Sequence, residues 1–170
     1  MKKLTLVING RGGVGKDTLC DAAAARFRVM NVSSITPIKE LAAICGWQGE
    51  KTDRARRFLA DLKALTAAYN DYPTAWITEQ YRAFLAGEDE ILFVHIREGE
   101  EIRKFVDATG GDAATLLVRA DRRMAAHTYG NASDDMVENY AYDYYFDNDD
   151  APEVAAEKFV SLLSSIMGNQ

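Results

Sequence analysis

With 170 residues, 48% of them hydrophobic and 27% charged, the chain has the composition of one soluble globular domain with room for a sizeable core. No apolar run approaches the roughly 20 residues that cross a bilayer, and two cysteines, Cys20 and Cys45, make neither a disulfide framework nor a metal-ligand pattern and read as small buried hydrophobes. A formal charge of −6 speaks against a general affinity for nucleic acid. The expectation is a cytoplasmic protein whose partners are small molecules, with no nucleic acid and no membrane.

The first predicted element is a strand over residues 4–9. Met1-Lys2-Lys3 followed by Leu4-Thr5-Leu6-Val7-Ile8 has the charge and apolarity of a secretion leader. The apolar stretch is too short for one, however, and runs into Asn9 and Gly10 with no small-residue cleavage site. Immediately after it comes Gly10-Arg11-Gly12-Gly13-Val14-Gly15-Lys16-Asp17-Thr18, and then a helical pattern in Leu19, Ala22, Ala23 and Phe27. Glycines let successive backbone N–H groups turn inward around phosphate oxygens, and the helix N-terminus adds the positive end of its dipole. Lys16 stands where a mobile ammonium reaches the β- and γ-phosphates. A Gly-rich turn with a surface lysine lacks this combination of offset and flanking elements. The loop therefore predicts binding of the phosphates of a nucleoside triphosphate, with Mg²⁺. One departure is that Asp17 stands where Ser or Thr usually ligates the metal, with Thr18 next and placed to contact the α-phosphate. Asp17 either ligates Mg²⁺, directly or through water, or only favours the helix N-terminus electrostatically.

Further strands are predicted over 28–33, 91–96, 115–119 and 142–147. Apolar runs without alternation, such as Ile91-Leu92-Phe93-Val94, suit strands covered on both faces. Between them, Phe58, Leu62, Leu65 and Tyr69 share one helix face, and Ile77, Tyr81, Phe84 and Leu85 another. Ile102, Phe105 and Val106 mark a further helix. The last helix has Asp150 as N-cap, Pro152 in its first turn and a buried stripe of Ala155, Phe159, Leu162 and Ile166. Strand alternating with helix implies right-handed crossovers, an α/β fold and a parallel sheet with ligands at its carboxyl edge. Trp47, Tyr69, Tyr72 and Trp76 have the spacing of core aromatics as much as of base-stacking ones. His127 has no motif around it.

From Gly15-Lys16-Asp17-Thr18 onward the sequence resembles the nucleoside monophosphate kinases of the P-loop class, most closely the phage-type deoxynucleoside monophosphate kinases, whose loop reads GKDT. Ser34-Ile35-Thr36-Pro37-Ile38-Lys39-Glu40-Leu41, Asp71-Tyr72-Pro73-Thr74-Ala75-Trp76 and Asp143-Tyr144-Tyr145-Phe146-Asp147-Asn148 are similar to further segments of that family. The resemblance implies a single domain over 1–170, a three-layer P-loop NTPase fold with a five-stranded parallel sheet, a helical acceptor-binding insert at 36–86 and a small lid at about 119–140. It implies transfer of a phosphoryl group from ATP to a (deoxy)nucleoside monophosphate. On the family's pattern Lys39, Arg54 and Arg57 line the acceptor side, with Arg56 the more exposed neighbour. Arg97 matches the family's arginine after the third strand and would hold the acceptor phosphate. Arg119, with Arg122 and Arg123, would reach the transferring group from the lid, and Asn148 would sit near the nucleotide base. Arginine forks suit phosphate oxygens. The family has Asp where His95 stands, so His95 is either a hydrogen-bonded core residue or an acceptor contact. Glu98, Glu100 and Glu101 read as the acidic first turn of a helix. Two other readings remain: a P-loop kinase for another acceptor, of the phosphomevalonate or dephospho-coenzyme A type, and a nucleotide-binding module with little turnover.

Overall fold

The computed structural model describes residues 2–124 and 136–169. Its strands are β1 (Leu4–Asn9), β2 (Val29–Ser33), β3 (Ile91–His95), β4 (Ala114–Arg119) and β5 (Tyr144–Asp147). Its helices are α1 (Lys16–Ala24), α2 (Thr36–Ile44), α3 (Asp53–Asn70), α4 (Tyr72–Ala86), α5 (Gly99–Ala108), the short α6 (Asp121–Met124) and α7 (Pro152–Asn169). A 3₁₀ turn covers Val137–Asn139. The five strands pair in parallel in the order β2-β3-β1-β4-β5. The predicted five-stranded parallel α/β sheet is therefore the observed one.

Strand periodicity sends alternate side chains to opposite faces, and here both faces are covered. Leu4, Leu6 and Ile8 of β1 join Phe93, Leu116 and Val118 under α1 and α7, against Leu19, Ala23, Phe159, Leu163 and Ile166. Phe159 lies 6.2 Å from Phe93, near parallel, and meets Phe146 edge-on at 5.3 Å. On the other face Val7, Leu92, Val94 and Leu117 pack with Ile77 and Phe84 of α4 and Ile102 and Phe105 of α5. Covering on both sides is why β1 and β3 read as unbroken apolar runs. Helices α2 (from Thr36), α3 and α4 (to Ala86) fill the single connection between β2 and β3. Part of the expected lid, residues 125–135 with His127, lies outside the described residues.

The burial pattern adds four details to the sequence reading. Leu163 rather than Leu162 is fully buried in α7, and Leu162 is partly buried. Strand β2 is only half-buried along its length because it is the sheet edge. The apolar stripe of α3 faces outward, with Leu65 68% and Tyr69 86% exposed. The buried position of that helix is Ala55, because α3 packs sideways on α2 and α4 rather than over the sheet. Cys20 is buried, and burial, with Asp17 and Asp21 nearby, pushes its thiol up to about 12, but Cys45 is exposed. Among the described residues no helix is long and apolar enough to cross a membrane.

Candidate active site

The candidate site starts where β1 ends. Asn9, 1% exposed, accepts from the Gly10 N–H through Oδ1 at 2.8 Å. Its amide donates to the Arg97 carbonyl at 3.0 Å and to the Tyr142 hydroxyl at 2.8 Å. Tyr142 in turn donates to the Val137 carbonyl at 2.7 Å. One buried amide thus joins the start of the loop to the end of β3 and to the 3₁₀ turn. Leaving such a buried polar group without its partners costs about 1–3 kcal/mol. On the other side of the loop, the Asn148 amide donates to the Val14 carbonyl at 2.7 Å, and the Asn148 N–H donates to the Arg119 carbonyl at 2.7 Å.

Between these two anchors Gly13 and Gly15 adopt left-handed φ of 81° and 90°, which glycine alone takes without strain. Gly15 is the N-cap of α1, and no side chain caps that helix end. The first-turn N–H groups of a helix are otherwise supplied by such a cap or by a ligand. Lys16 Nζ folds back onto the Gly10 carbonyl at 2.6 Å and the Arg11 carbonyl at 3.2 Å. Asp17 and Thr18 are exposed at the start of α1. A curled glycine backbone, an uncapped helix end and a half-exposed lysine fit a polyphosphate. Asp17 is a hard oxygen donor of the kind Mg²⁺ takes beside waters and phosphate oxygens; among the described residues there is no group of three His, Cys, Asp or Glu side chains placed to hold a metal without a bound phosphate.

A second feature lies beyond the carboxyl ends of β2 and β3. A pocket of about 330 Å³ opens between α3 and the N-terminal turns of α4 and α5, lined among others by Ala64, Lys63, Pro73, Glu98 and Glu101. Lys63 Nζ pairs with Oε2 of Glu98 and of Glu101, both at 2.9 Å, and the Ser34 hydroxyl donates to Glu101 at 3.3 Å. Burial alone would lower the Lys63 pKa, but Glu101 and Glu98 outweigh it and hold the ammonium above its ordinary value. Burial also pushes Glu98 up, yet the attraction of Lys63 prevails and its pKa is lowered. Glu101 is raised, by burial first and by Glu98, against the pull of Lys63.

No protein-family model and no curated relative matches the chain. Solved structures do. Shikimate kinase from Aquifex aeolicus vf5 superposes with a TM-score of 0.51 at 11% identity, covering 98% of each chain. A gluconokinase from Sinorhizobium meliloti 1021 gives 0.52 at 15%, covering 99% of this chain and 95% of the other. The tunicamycin resistance protein of Deinococcus radiodurans gives 0.57 at 14%, covering 95% of both. The fold is that of the P-loop kinases.

In this P-loop kinase fold the residues singled out from the sequence fall into three groups. Gly10, Arg11, Gly12, Gly13, Val14, Gly15, Lys16, Asp17 and Thr18 form the loop and the start of α1, with Arg11 3.5 Å from Glu138. Arg97 follows β3 and is exposed, its backbone tied to the loop through Asn9. His95, at the end of β3, pairs through Nε2 with Asn31 Oδ1 at 2.7 Å. Burial, helped by Lys16 and opposed by Asp17, pulls its pKa down. Lys39, Arg54 and Arg57 are exposed on α2 and α3 and do not line the pocket. Arg119 is the last residue of β4. Its guanidinium pairs with Asp147 at 2.8 Å and lies 5.1 Å from the Tyr145 ring. Asn148 holds the loop backbone. Sequence reasoning missed Asn9, Tyr142 and the Lys63–Glu98–Glu101 cluster. A buried polar residue closing an apolar strand was the available signal for Asn9.

Proposed function

We propose that the chain transfers the γ-phosphoryl group of ATP, in the presence of Mg²⁺, to a (deoxy)nucleoside monophosphate. The observation that carries this reading is the Asn9 bridge, which fixes the phosphate loop and the backbone of Arg97 to one another. A donor-phosphate cradle and an arginine suited to an acceptor phosphate are thereby held in one frame, and phosphoryl transfer is mainly a matter of such positioning and of charge neutralisation. The fold shared with proteins named as kinases agrees with it.

On this reading the loop N–H groups and Lys16 hold the donor phosphates and stabilise the charge that develops between β- and γ-oxygens. Asp17 holds Mg²⁺, directly or through water, and the ion when bound supplies further neutralisation of the phosphate oxygens. Arg97 orients the acceptor phosphate. Arg119 moves from Asp147 to the transferring group on closure. The partly exposed pair it leaves is worth only about 0–1 kcal/mol, so the exchange is cheap. No general base is needed when the acceptor oxygen is already an ionised phosphate. Asn148 acts on the nucleotide through the loop it supports. The protein works in the cytoplasm on small-molecule nucleotides, without nucleic acid or membrane. A second reading, a non-phosphate hydroxyl acceptor, is favoured by one observation. The Glu98–Glu101 pair on the pocket wall would accept the proton that a hydroxyl must lose.

The test is a panel: protein, Mg²⁺ and ATP with each ribo- and deoxyribonucleoside monophosphate, following ADP release. Strong stimulation by one or a few establishes the activity. Background release with all of them, despite ATP binding, removes the monophosphate acceptor. Asp17→Ala is expected to lower Mg²⁺-dependent turnover about tenfold or more, with ATP affinity changed less. Magnesium titrations that superpose on the wild type would reduce Asp17 to a charge at the helix end.

A further inference from the structure

His95 closes β3 on the face of the sheet that α1 covers. Its register partners are Ile8 in β1 and Ser33 in β2, and residues in register in a parallel sheet send their side chains to the same side. Ile8, and Phe93 two residues before His95, pack with Leu19 and Ala23 of α1. The imidazole therefore stands at the carboxyl edge of the sheet, beneath the helix that begins with Lys16 and Asp17. Both of those charges act on it, and among the described residues no hydrogen bond joins it to Asp17.

Its Nε2 lies 2.7 Å from Oδ1 of Asn31, which shares that face as the register partner of Phe93. An amide oxygen only accepts, so Nε2 carries the proton and Nδ1 keeps the lone pair. Burial pulls the His95 pKa below its ordinary value, which leaves the ring neutral at pH 7. A histidine that donates through one nitrogen to a fixed oxygen has its tautomer and its ring orientation set. That is the arrangement in which imidazole ligates a metal through the other nitrogen.

Asp17 supplies a carboxylate oxygen from the first turn of α1. Two protein groups do not hold an ion by themselves, and no third of the usual kinds joins them among the described residues. A nucleotide with its phosphates on the loop brings the remaining oxygens. Asp17, His95 and the phosphates then make a mixed oxygen and nitrogen donor set. Mg²⁺ takes oxygen ligands, whereas imidazole suits first-row transition ions, and Mn²⁺ among these also suits carboxylate and water. Resting on the phosphotransfer reading above, we propose that Nδ1 of His95 ligates the nucleotide-bound metal beside Asp17, and that the site prefers Mn²⁺ to Mg²⁺. Asn31 is in this scheme a positioning residue, holding the ring that binds the ion.

The test uses the full chain with Mn²⁺ and AMP-PNP, an ATP analogue whose last phosphate is not transferred. Electron spin echo envelope modulation reads the nitrogen nuclei bonded to the manganese. The wild-type complex is expected to show the coupling of a directly ligated imidazole, altered by isotope labelling of histidine and absent from His95→Gln, with folding checked by circular dichroism. AMP-PNP is expected to bind about tenfold or more tighter in saturating Mn²⁺ than in saturating Mg²⁺. His95→Gln should bring that ratio down to about one, since only oxygen donors remain. A histidine held by Asn31 for structural reasons alone would leave both readouts unmoved. A wild-type complex without histidine coupling, which needs no variant, overturns the proposal, as does the same ratio in wild type and folded variant. ADP release with the monophosphate panel is recorded in parallel. Histidine coupling without stimulated release would sink the phosphotransfer reading and leave the metal ligand standing. Stimulated release without the coupling would do the reverse.

Discussion

Lys16→Ala is expected to reduce monophosphate-stimulated ADP release by roughly 10³-fold, the range found when one preorganised charge or donor is taken from a developing anion. The same change should shift thermal unfolding little. Lys16 is half-exposed, and its bonds to the Gly10 and Arg11 carbonyls exchange largely with water, so their net worth is small beside the whole fold. Those two carbonyls belong to the loop itself, so the ammonium in this structure is parked on the backbone it will leave when phosphate oxygens are present. The three measurements that separate the roles are initial rates, the melting temperature and ATP affinity. A variant that melts like the wild type, binds ATP more weakly and turns over near background is the expected outcome. Full activity in the variant would remove the phosphate-loop assignment, and loss of folding would show Lys16 to be a structural clasp.

How far this could be read from the chain depends on which physics each feature obeys. β1, β3 and β4 announced themselves because a strand buried on both faces needs an unbroken apolar run, and Leu4–Asn9 is buried at every position. The phosphate loop was legible for a different reason. Its chemistry is local, carried by backbone N–H groups and one lysine within nine residues. The stripe Phe58, Leu62, Leu65 and Tyr69 shows that periodicity says which residues share a helix face and nothing about what covers that face; here Leu65 and Tyr69 meet solvent. The Lys63–Glu98–Glu101 cluster joins residues about 35 positions apart through the meeting of α3 and α5, and no spacing rule reports such a contact. The three glutamates read as a helix-start charge, and Glu100 and Glu101 do lie in the first turn of α5. What the spacing missed was the lysine that turns two of them into a pocket wall. Arg119, a lid residue on the family resemblance, closes β4 and pairs there with Asp147, a contact that no spacing rule reports.

Gly10→Ala tests whether the sheet and the phosphate loop are one unit. Gly10 has φ +154°, a region L side chains rarely adopt. A Cβ built there falls 2.5 Å from the Val118 carbonyl oxygen and 2.9 Å from a Val14 methyl. Val14 has a side chain that can turn. Val118 does not offer that relief, because the offending atom is backbone in β4, the strand hydrogen-bonded between β1 and β5, and its side chain is 1% exposed. The loop must therefore move away from the sheet. Its departure strains both the Gly10 N–H bond to Asn9 and the Asn9 bond to the Arg97 carbonyl. Backbone strain and overpacking of this kind cost about 1–3 kcal/mol each, so a loss of about 2–5 kcal/mol is expected in denaturant unfolding. ATP affinity should fall by about 10²-fold, since displaced N–H groups no longer converge on one phosphate. Gly46→Ala is the control: Gly46 also has a positive φ, +95°, but nothing lies within 4 Å of its Cβ position. That substitution meets backbone strain alone, about 1–2 kcal/mol, and should leave ATP binding untouched. Equal costs for the two variants would mean that the backbone angle alone matters. A larger cost at Gly10, with ATP affinity lost in step, would show that the contact with β4 sets the loop in place for phosphate.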